Sequence, residues 1–256
     1  MRPFFPEENY IFHVHTFRCR HAENVDDEAY ILKAVELGSR QISFTDHAPF
    51  PGDPYPYRMD MRELDEYFHT LKELRQKYEG IIRVDIALEI EYYPAMKSYY
   101  EDLYAHEELD YLIIGQHYFM DEKGRHTLDF PETERFEMEA GYCTKAVLEA
   151  MDTGLFPVIA HPDRMFRRKK TFSEEEAVLA DAVIRRAAEK KIFLEQNLSS
   201  LVHPYQYRKE FWEMVPEEVP VLVGTDAHAL RELEVCHRGA RITGEEADRR
   251  MKDERK

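Results

Sequence analysis

The stretch Phe12-His13-Val14-His15-Thr16-Phe17-Arg18-Cys19-Arg20-His21 decides how the rest of the chain is read, because it begins as an apolar strand and finishes in metal-ligand residues. Successive side chains of an extended strand alternate between faces, so His13 and His15 point the same way, close enough to grip one cation. Two imidazoles alone make a weak site. Metal chemistry requires further His, Asp or Glu to arrive at the same place.

Working outward, the same design recurs. Gln41-Ile42-Ser43-Phe44 runs into Thr45-Asp46-His47, and Ile81 to Ile90 carries Glu89 near its end with Glu91 just beyond. Asp110 to Gly115 finishes in Gln116-His117, and Phe156 to Ala160 in His161-Pro162-Asp163. Ile192-Phe193-Leu194 leads to Glu195-Gln196-Asn197, and Val219 to Val223 to Gly224-Thr225-Asp226-Ala227-His228. With Tyr10 to His15 these are seven apolar strands. Helical patterns separate most of them. Asn24 caps a helix to about Leu37 that stops at Gly38. Asp60 with Glu63 opens one whose stripe is Leu64, Tyr67, Phe68, Leu71, Leu74 and Tyr78. Lys97 to His106 and Glu132 to Asp152 read as helices, and Ser173 with Glu176 makes a capping box for a helix to about Lys190. After about Ile242 a tail of mixed charge is expected to fray.

This alternation predicts the α/β class with a parallel sheet, and the lengths suit a closed barrel. Each strand gathers its polar residues at the carboxyl end, the rim on which closed βα barrels build their active sites. At 256 residues the chain suits a single domain, 1-256, with its core at about 10-240.

A formal charge of -16 with no basic stripe disfavours long nucleic-acid or anionic membrane surfaces as partners, and none is expected. Small anions stay open, since a metal cluster reverses the field locally. There is no apolar run near the length of a membrane span, and the opening Met1-Arg2-Pro3-Phe4-Phe5-Pro6 lacks a leader's apolar core, so the cytoplasm is the default location. Three cysteines at irregular spacing give no disulfide framework. No surface for a protein partner stands out.

The rim set is His13, His15, His21, His47, Glu89, His117, His161, Asp226 and His228. That is too many donors for one tetrahedral ion, so two or three divalent ions are expected. Imidazoles and carboxylates without thiolates suit Zn, Mn or Fe better than Mg or Ca. A single strand-end histidine is more often a core or capping residue than a ligand. Seven of the 12 histidines at such ends, joined by a strand-end glutamate and an Asp-x-His, point to metal. His69, His106, His126, His203 and His237 take the ordinary reading as solvated or packed residues, and Cys19 that of a buried structural thiol. Glu91, two residues on, faces the same side as Glu89; Glu89 is preferred as the ligand with Glu91 as its support, a choice that spacing alone leaves open.

His13-x-His15-Thr16-x-x-Cys19-x-His21-Ala22, Thr45-Asp46-His47-Ala48, Leu88-Glu89-Ile90-Glu91-Tyr92, Gly115-Gln116-His117, His161-Pro162-Asp163 and Thr225-Asp226-Ala227-His228 together resemble the PHP (polymerase and histidinol phosphatase) superfamily, and within it the histidinol-phosphate phosphatases. The resemblance implies a distorted seven-stranded (β/α)7 TIM-like barrel with a trinuclear metal centre. One ion would take His13, His15, Glu89 and Asp226; a second would share Glu89 and add His117 and His161; the third would take His21, His47 and His228. It also implies a metal-dependent phosphomonoesterase acting on a small-molecule phosphate ester, with L-histidinol phosphate first. A metal-bridging hydroxide would attack phosphorus, with Glu89 and Asp226 as catalytic ligands. Arg164 is the first candidate to grip the phosphate oxygens, ahead of Arg20 and Arg208. The proline-rich loop from Ala48 to Arg58 is expected to close over the organic part of the substrate, with Tyr55 and Tyr57 in contact. Other readings are a phosphodiesterase or nuclease, a phosphatase for another small ester, and a metal-binding protein without turnover. Two departures bear on substrate preference: Ala87 stands where the family has Gly, and Asn197-Leu198-Ser199-Ser200 lacks the Gly of the family's Asn-x-Ser-Gly turn.

Overall fold

The computed structural model describes residues 4–52, 54–167, 171–203 and 205–253; Met1-Arg2-Pro3, the start of the opening that lacks a leader's apolar pattern, lies outside them. In chain order the regular elements are β1 (Asn9–Val14), α1 (Asp27–Glu36), β2 (Gln41–His47), α2 (Leu64–Lys77), β3 (Arg83–Ile90), α3 (Lys97–Leu103), β4 (Tyr111–Ile114), α4 (Glu132–Thr153), β5 (Val158–Ile159), α5 (Glu174–Lys190), β6 (Phe193–Asn197), α6 (Leu198–Val202), α7 (Lys209–Glu213), β7 (Val221–Gly224), β8 (Cys236–His237) and α8 (Gly244–Asp253). Two compact units share them. The first is Met1–Ile90, Tyr99–Ile113 and Val223–Ala240; the second is Glu91–Ser98, Ile114–Leu222 and Arg241–Lys256.

In the first unit the strands lie in the order β4-β3-β2-β1-β8. β2 and β3 pair in parallel without interruption from Gln41 opposite Arg83 to His47 opposite Glu89, so two rim residues end level. Ala87 sits inside this regular register, and the departure from Gly leaves no irregularity there. β1 behaves differently. Its pairing with β2 slips between Ile11 and Val14, and the slip holds His13 at φ 70, a left-handed conformation. On the other side of β1, Thr225 N donates to Phe12 O, Ala227 N to His13 O, and His15 N to Ala227 O. These bonds set the chain after β7 alongside His13 and His15. Ile11, Phe12, Val14, Ile42, Phe44, Ile86 and Leu88 form the buried interior. At the opposite strand ends Asp85 accepts from Gln41 Nε2 at 2.6 Å, Arg83 Nη2 at 3.0 Å and the Tyr111 hydroxyl at 3.1 Å.

In the second unit the order is β7-β6-β5-β4. Ala160 N donates to Ile114 O, β5 and β6 pair in parallel, and Leu194 N donates to Pro220 O. α4 and α5 pack together, and α4 buries Ala140, Cys143, Val147 and Ala150 while α5 buries Ala180, Val183, Ile184 and Ala187. The expected capping box opens α5, where Ser173 Oγ accepts from Glu176 N and Glu176 reaches back to Ser173 N.

The seven expected strands are present, joined by an eighth. β8 runs antiparallel to β1 at Asn9 and Tyr10, and two residues are too few to show a pattern in sequence. α1 starts at Asp27, with Asp26 and not Asn24 in the capping position. The tail expected to fray forms α8 instead. It buries Ala247, ties Ile242 to Gln196 by two hydrogen bonds and pairs Asp248 with Lys209. Among the described residues no helix is long and apolar enough to cross a membrane.

Candidate metal centre

The first unit brings seven of the nine expected ligands together. β1 supplies His13 and, one residue past its end, His15; β2 and β3 supply His47 and Glu89; the chain after β7 supplies Asp226 and His228. His21 follows the short turn Phe17–Cys19, its Nδ1 within 2.8 Å of Cys19 O.

Their spacing suits coordination better than hydrogen bonding. His13 Nε2 lies 3.4 Å from Glu89 Oε2 and 3.7 Å from Asp226 Oδ1, and His15 Nε2 lies 3.5 and 3.2 Å from the same two oxygens. Donors held tetrahedrally at metal–nitrogen distance stand about 3.4 Å apart. Both ring nitrogens of His15 are buried without a hydrogen-bond partner among the described residues, and so is Nε2 of His228. Buried polar atoms are rarely left so. The donor set therefore fits a cation. The rings of His15, His21, His47 and His228 also gather, with His21 4.3 Å from His228 and His15 4.3 Å from His47 between centroids.

The electrostatics agree. Burial lowers the pKa of His15 and pulls that of His228 to about 3, so both imidazoles are neutral and able to ligate. Burial also pushes the Cys19 thiol up to about 12, in keeping with its reading as a structural thiol, although its sulfur lies within reach of the His21 and His228 nitrogens.

The second unit holds the other two expected ligands side by side, with the His117 and His161 rings 4.9 Å apart. Glu91 lies 3.2 Å from His117 Nδ1, the way a carboxylate orients a ligating histidine. His161 takes φ 33 and donates its backbone N–H to the buried carboxylate of Glu195. Arg164, one turn further on, donates from Nη2 to Asn197 Oδ1 and Ser200 Oγ. Asn197 Oδ1 also accepts from Ser200 N and so caps α6, which explains how this turn forms without Gly. The two weaker arginine candidates are occupied. Arg20 pairs with Asp60 and Glu63, and Arg208 donates from Nε to Phe166 O while its backbone N–H bonds the buried Asp163. Desolvation raises that carboxyl to about 6.

Sequence reasoning missed the support beneath the first ligands. Asp46 accepts from both Thr16 N and Thr16 Oγ1 at 2.6 Å, which ties the end of β2 to the residue after His15. Burial raises its carboxyl to about 7. Arg18, fully buried, donates to Thr16 Oγ1, Asp27 and both oxygens of Glu66. The signal for Asp46 was its place immediately before His47; Arg18 gave none, because a lone arginine reads as surface.

A family model described as PHP domain matches residues 12–199. Over 233 residues, covering 84% of this chain and 85% of the relative, the chain is 28% identical to a probable histidinol-phosphatase of Deinococcus radiodurans. It is 25% identical to the histidinol-phosphatase of Bacillus subtilis, covering 84% and 92% of the two chains. Among solved structures it superposes on a putative histidinol phosphatase HisK of Listeria monocytogenes with a TM-score of 0.71 at 19% identity, covering 87% and 96%. On the Lactococcus lactis histidinol phosphate phosphatase HisK, solved with zinc, L-histidinol and phosphate, the TM-score is 0.67 at 18% identity, covering 96% and 94%. These likenesses bear out the α/β barrel class read from the strand ends. With the family model spanning most of its length, this chain belongs to the PHP domain family.

Proposed function

We propose that the chain is a metal-dependent phosphomonoesterase that hydrolyses L-histidinol phosphate to L-histidinol and phosphate. The observation that carries this reading is the convergence of His13, His15, Glu89 and Asp226, buried and spaced 3.2 to 3.7 Å apart, with neither ring nitrogen of His15 hydrogen-bonded among the described residues. In the first unit the ligands are these four with His21, His47 and His228, and in the second they are His117 and His161; the expected complement is two or three ions of Zn, Mn or Fe. Bound, such ions supply positive charge to a phosphoester and acidify water near neutral pH.

The chain's own residues do the rest. Glu89 and Asp226 offset the ionic charge, neutral imidazoles complete the shell, and Glu91 fixes the His117 ring. Arg164, steadied by Asn197 and Ser200, takes the non-bridging phosphate oxygens. A charge of -16 disfavours a polynucleotide substrate and leaves a small ester as the fitting one. Support for the particular alcohol comes from the two histidinol-phosphatase relatives.

The test is phosphate release by purified, metal-analysed protein from L-histidinol phosphate, a mononucleotide and a short oligonucleotide. Turnover should be fastest on histidinol phosphate, vanish with chelator, return with Zn or Mn, and be lost in His13→Ala. A preference for the oligonucleotide, or a His13→Ala rate equal to the parent's, rejects the reading.

A further inference from the structure

Tyr57 is a large aromatic residue held where glycine would be the easy choice. Its φ is 60, its side chain is 61% exposed, and its ring stands edge-on to His21 with centroids 5.5 Å apart. A non-glycine residue in this region costs stability and persists only where its surroundings over-determine it.

The surroundings do so. The next residue, Arg58, is only 4% exposed, lies over the rings of Phe50 and Tyr55, and donates to Ala48 O at 3.1 Å. The Tyr99 hydroxyl donates to Pro49 O, Met59 N to His47 O, and the Asp60 capping box closes the segment. The described part of the proline-rich loop is thus pinned to its own unit at both ends. Through these contacts it stands as a wall on that unit. Tyr55 is 3% exposed and spent on Arg58, so of the two loop tyrosines only Tyr57 offers its ring to solvent beside a candidate ligand.

We propose that Tyr57 is the specificity-determining residue for the organic half of the phosphoester, presenting a rigid aromatic surface that favours alcohols bearing a flat ring such as imidazole. The inference rests on the phosphomonoesterase reading above and adds to it a recognition element for the leaving group. Aromatic pairing of this kind changes selectivity by about three- to tenfold.

The experiment measures kcat/KM for L-histidinol phosphate and for ethanolamine phosphate, which keeps the amine and lacks the ring. The proteins are the parent, Tyr57→Phe, Tyr57→Gly and Tyr57→Asn; the last two tolerate a positive φ. The ratio of the two constants should fall about three- to tenfold in Tyr57→Gly and Tyr57→Asn and hold in Tyr57→Phe, with Tm equal to or above the parent's in Tyr57→Gly. A ratio within twofold of the parent's in both small variants overturns the assignment. If the parent releases phosphate from other esters but not from histidinol phosphate, the proposed substrate falls, and phenyl against ethyl phosphate then decides Tyr57 by the same ratio.

Discussion

Replacing Arg18 by Met tests how the first ligands are held. The guanidinium makes two unlike attachments. Nη1 bonds Asp27 at 2.8 Å, where the Asp27 side chain is 2% exposed, whereas Nε and Nη2 bond Glu66, whose side chain is 57% exposed. Exposed ion pairs contribute about 0.2–1 kcal/mol, and removing one partner of a buried pair costs about 3–5 kcal/mol because the other charge is left stranded. Arg18→Met should therefore lose about 3–5 kcal/mol, and Glu66→Ala less than about 1. With a urea slope near 3 kcal/mol/M, a loss of about 4 lowers the midpoint by roughly 1.3 M. The Arg18→Met, Asp27→Asn double variant should regain much of the loss, since no charge is then stranded. The pH dependence has a definite sign. Burial already raises the Asp27 carboxyl above its unfolded value despite Arg18, and without Arg18 it rises further. A folded-state pKa above the unfolded one means that the folded form binds the extra proton, so stability falls as pH rises through that range. The deficit of Arg18→Met should accordingly shrink on going from pH 8 to pH 5. The measurements are urea unfolding by far-UV circular dichroism in chelator at both pH values. A loss under about 1 kcal/mol, equal to that of Glu66→Ala, would refute the claim that the Asp27 contact dominates.

Two further outcomes follow from the same geometry. Added metal at a hundredfold excess over its Kd should stabilise the chain by about 2.7 kcal/mol, a rise of roughly 5–10 °C in Tm for a chain of this size, reversed by chelator in a scanning-fluorimetry melt. Asp85→Ala should cost about 3–5 kcal/mol in urea unfolding, because it strands Gln41 Nε2, the Tyr111 hydroxyl and the Arg83 guanidinium that converge on its carboxylate, while phosphatase turnover per folded molecule stays at the parent's level.

What the sequence made legible is what hydrophobic pattern and ligand chemistry encode together. An apolar run that ends in His or Asp announces both a strand and its rim, and this holds at β1, β2, β4, β5 and β7. The Ser173 and Asp60 capping boxes were equally readable, since each needs only two residues three apart. Arg18, the tail and the loop tyrosines were not. The burial of Arg18 depends on carboxylates 9 and 48 positions away, which no local pattern connects. α8 hid because its polar faces outnumber the narrow seam around Ala247. Tyr55 and Tyr57 are alike in sequence, and tertiary contacts of Tyr55 with Arg58 and Phe50 mark which ring is buried.

The first two candidate ligands come together by a geometry other than the one the sequence suggests. Strict alternation along β1 would set His13 and His15 on one face, yet the strand slips at His13 and the two rings still meet, 4.9 Å apart. His13, His161 and Asp226 all adopt left-handed backbone, at φ 70, 33 and 49. Each such residue costs on the order of 1–3 kcal/mol. A chain shaped for stability alone would place Gly or Asn at these points, as it places Gly at the end of α4 with φ 72. Glycine has no donor atom. Keeping His and Asp there means that the strained backbone aims the side chains, and the cost must be offset nearby. The Asp46–Thr16–Arg18–Asp27 chain of bonds does this for the residues next to His15. Loosening that chain while leaving every ligand in place should therefore weaken metal affinity as well as stability, and a variant that lost stability at Arg18 with unchanged metal affinity would separate the two.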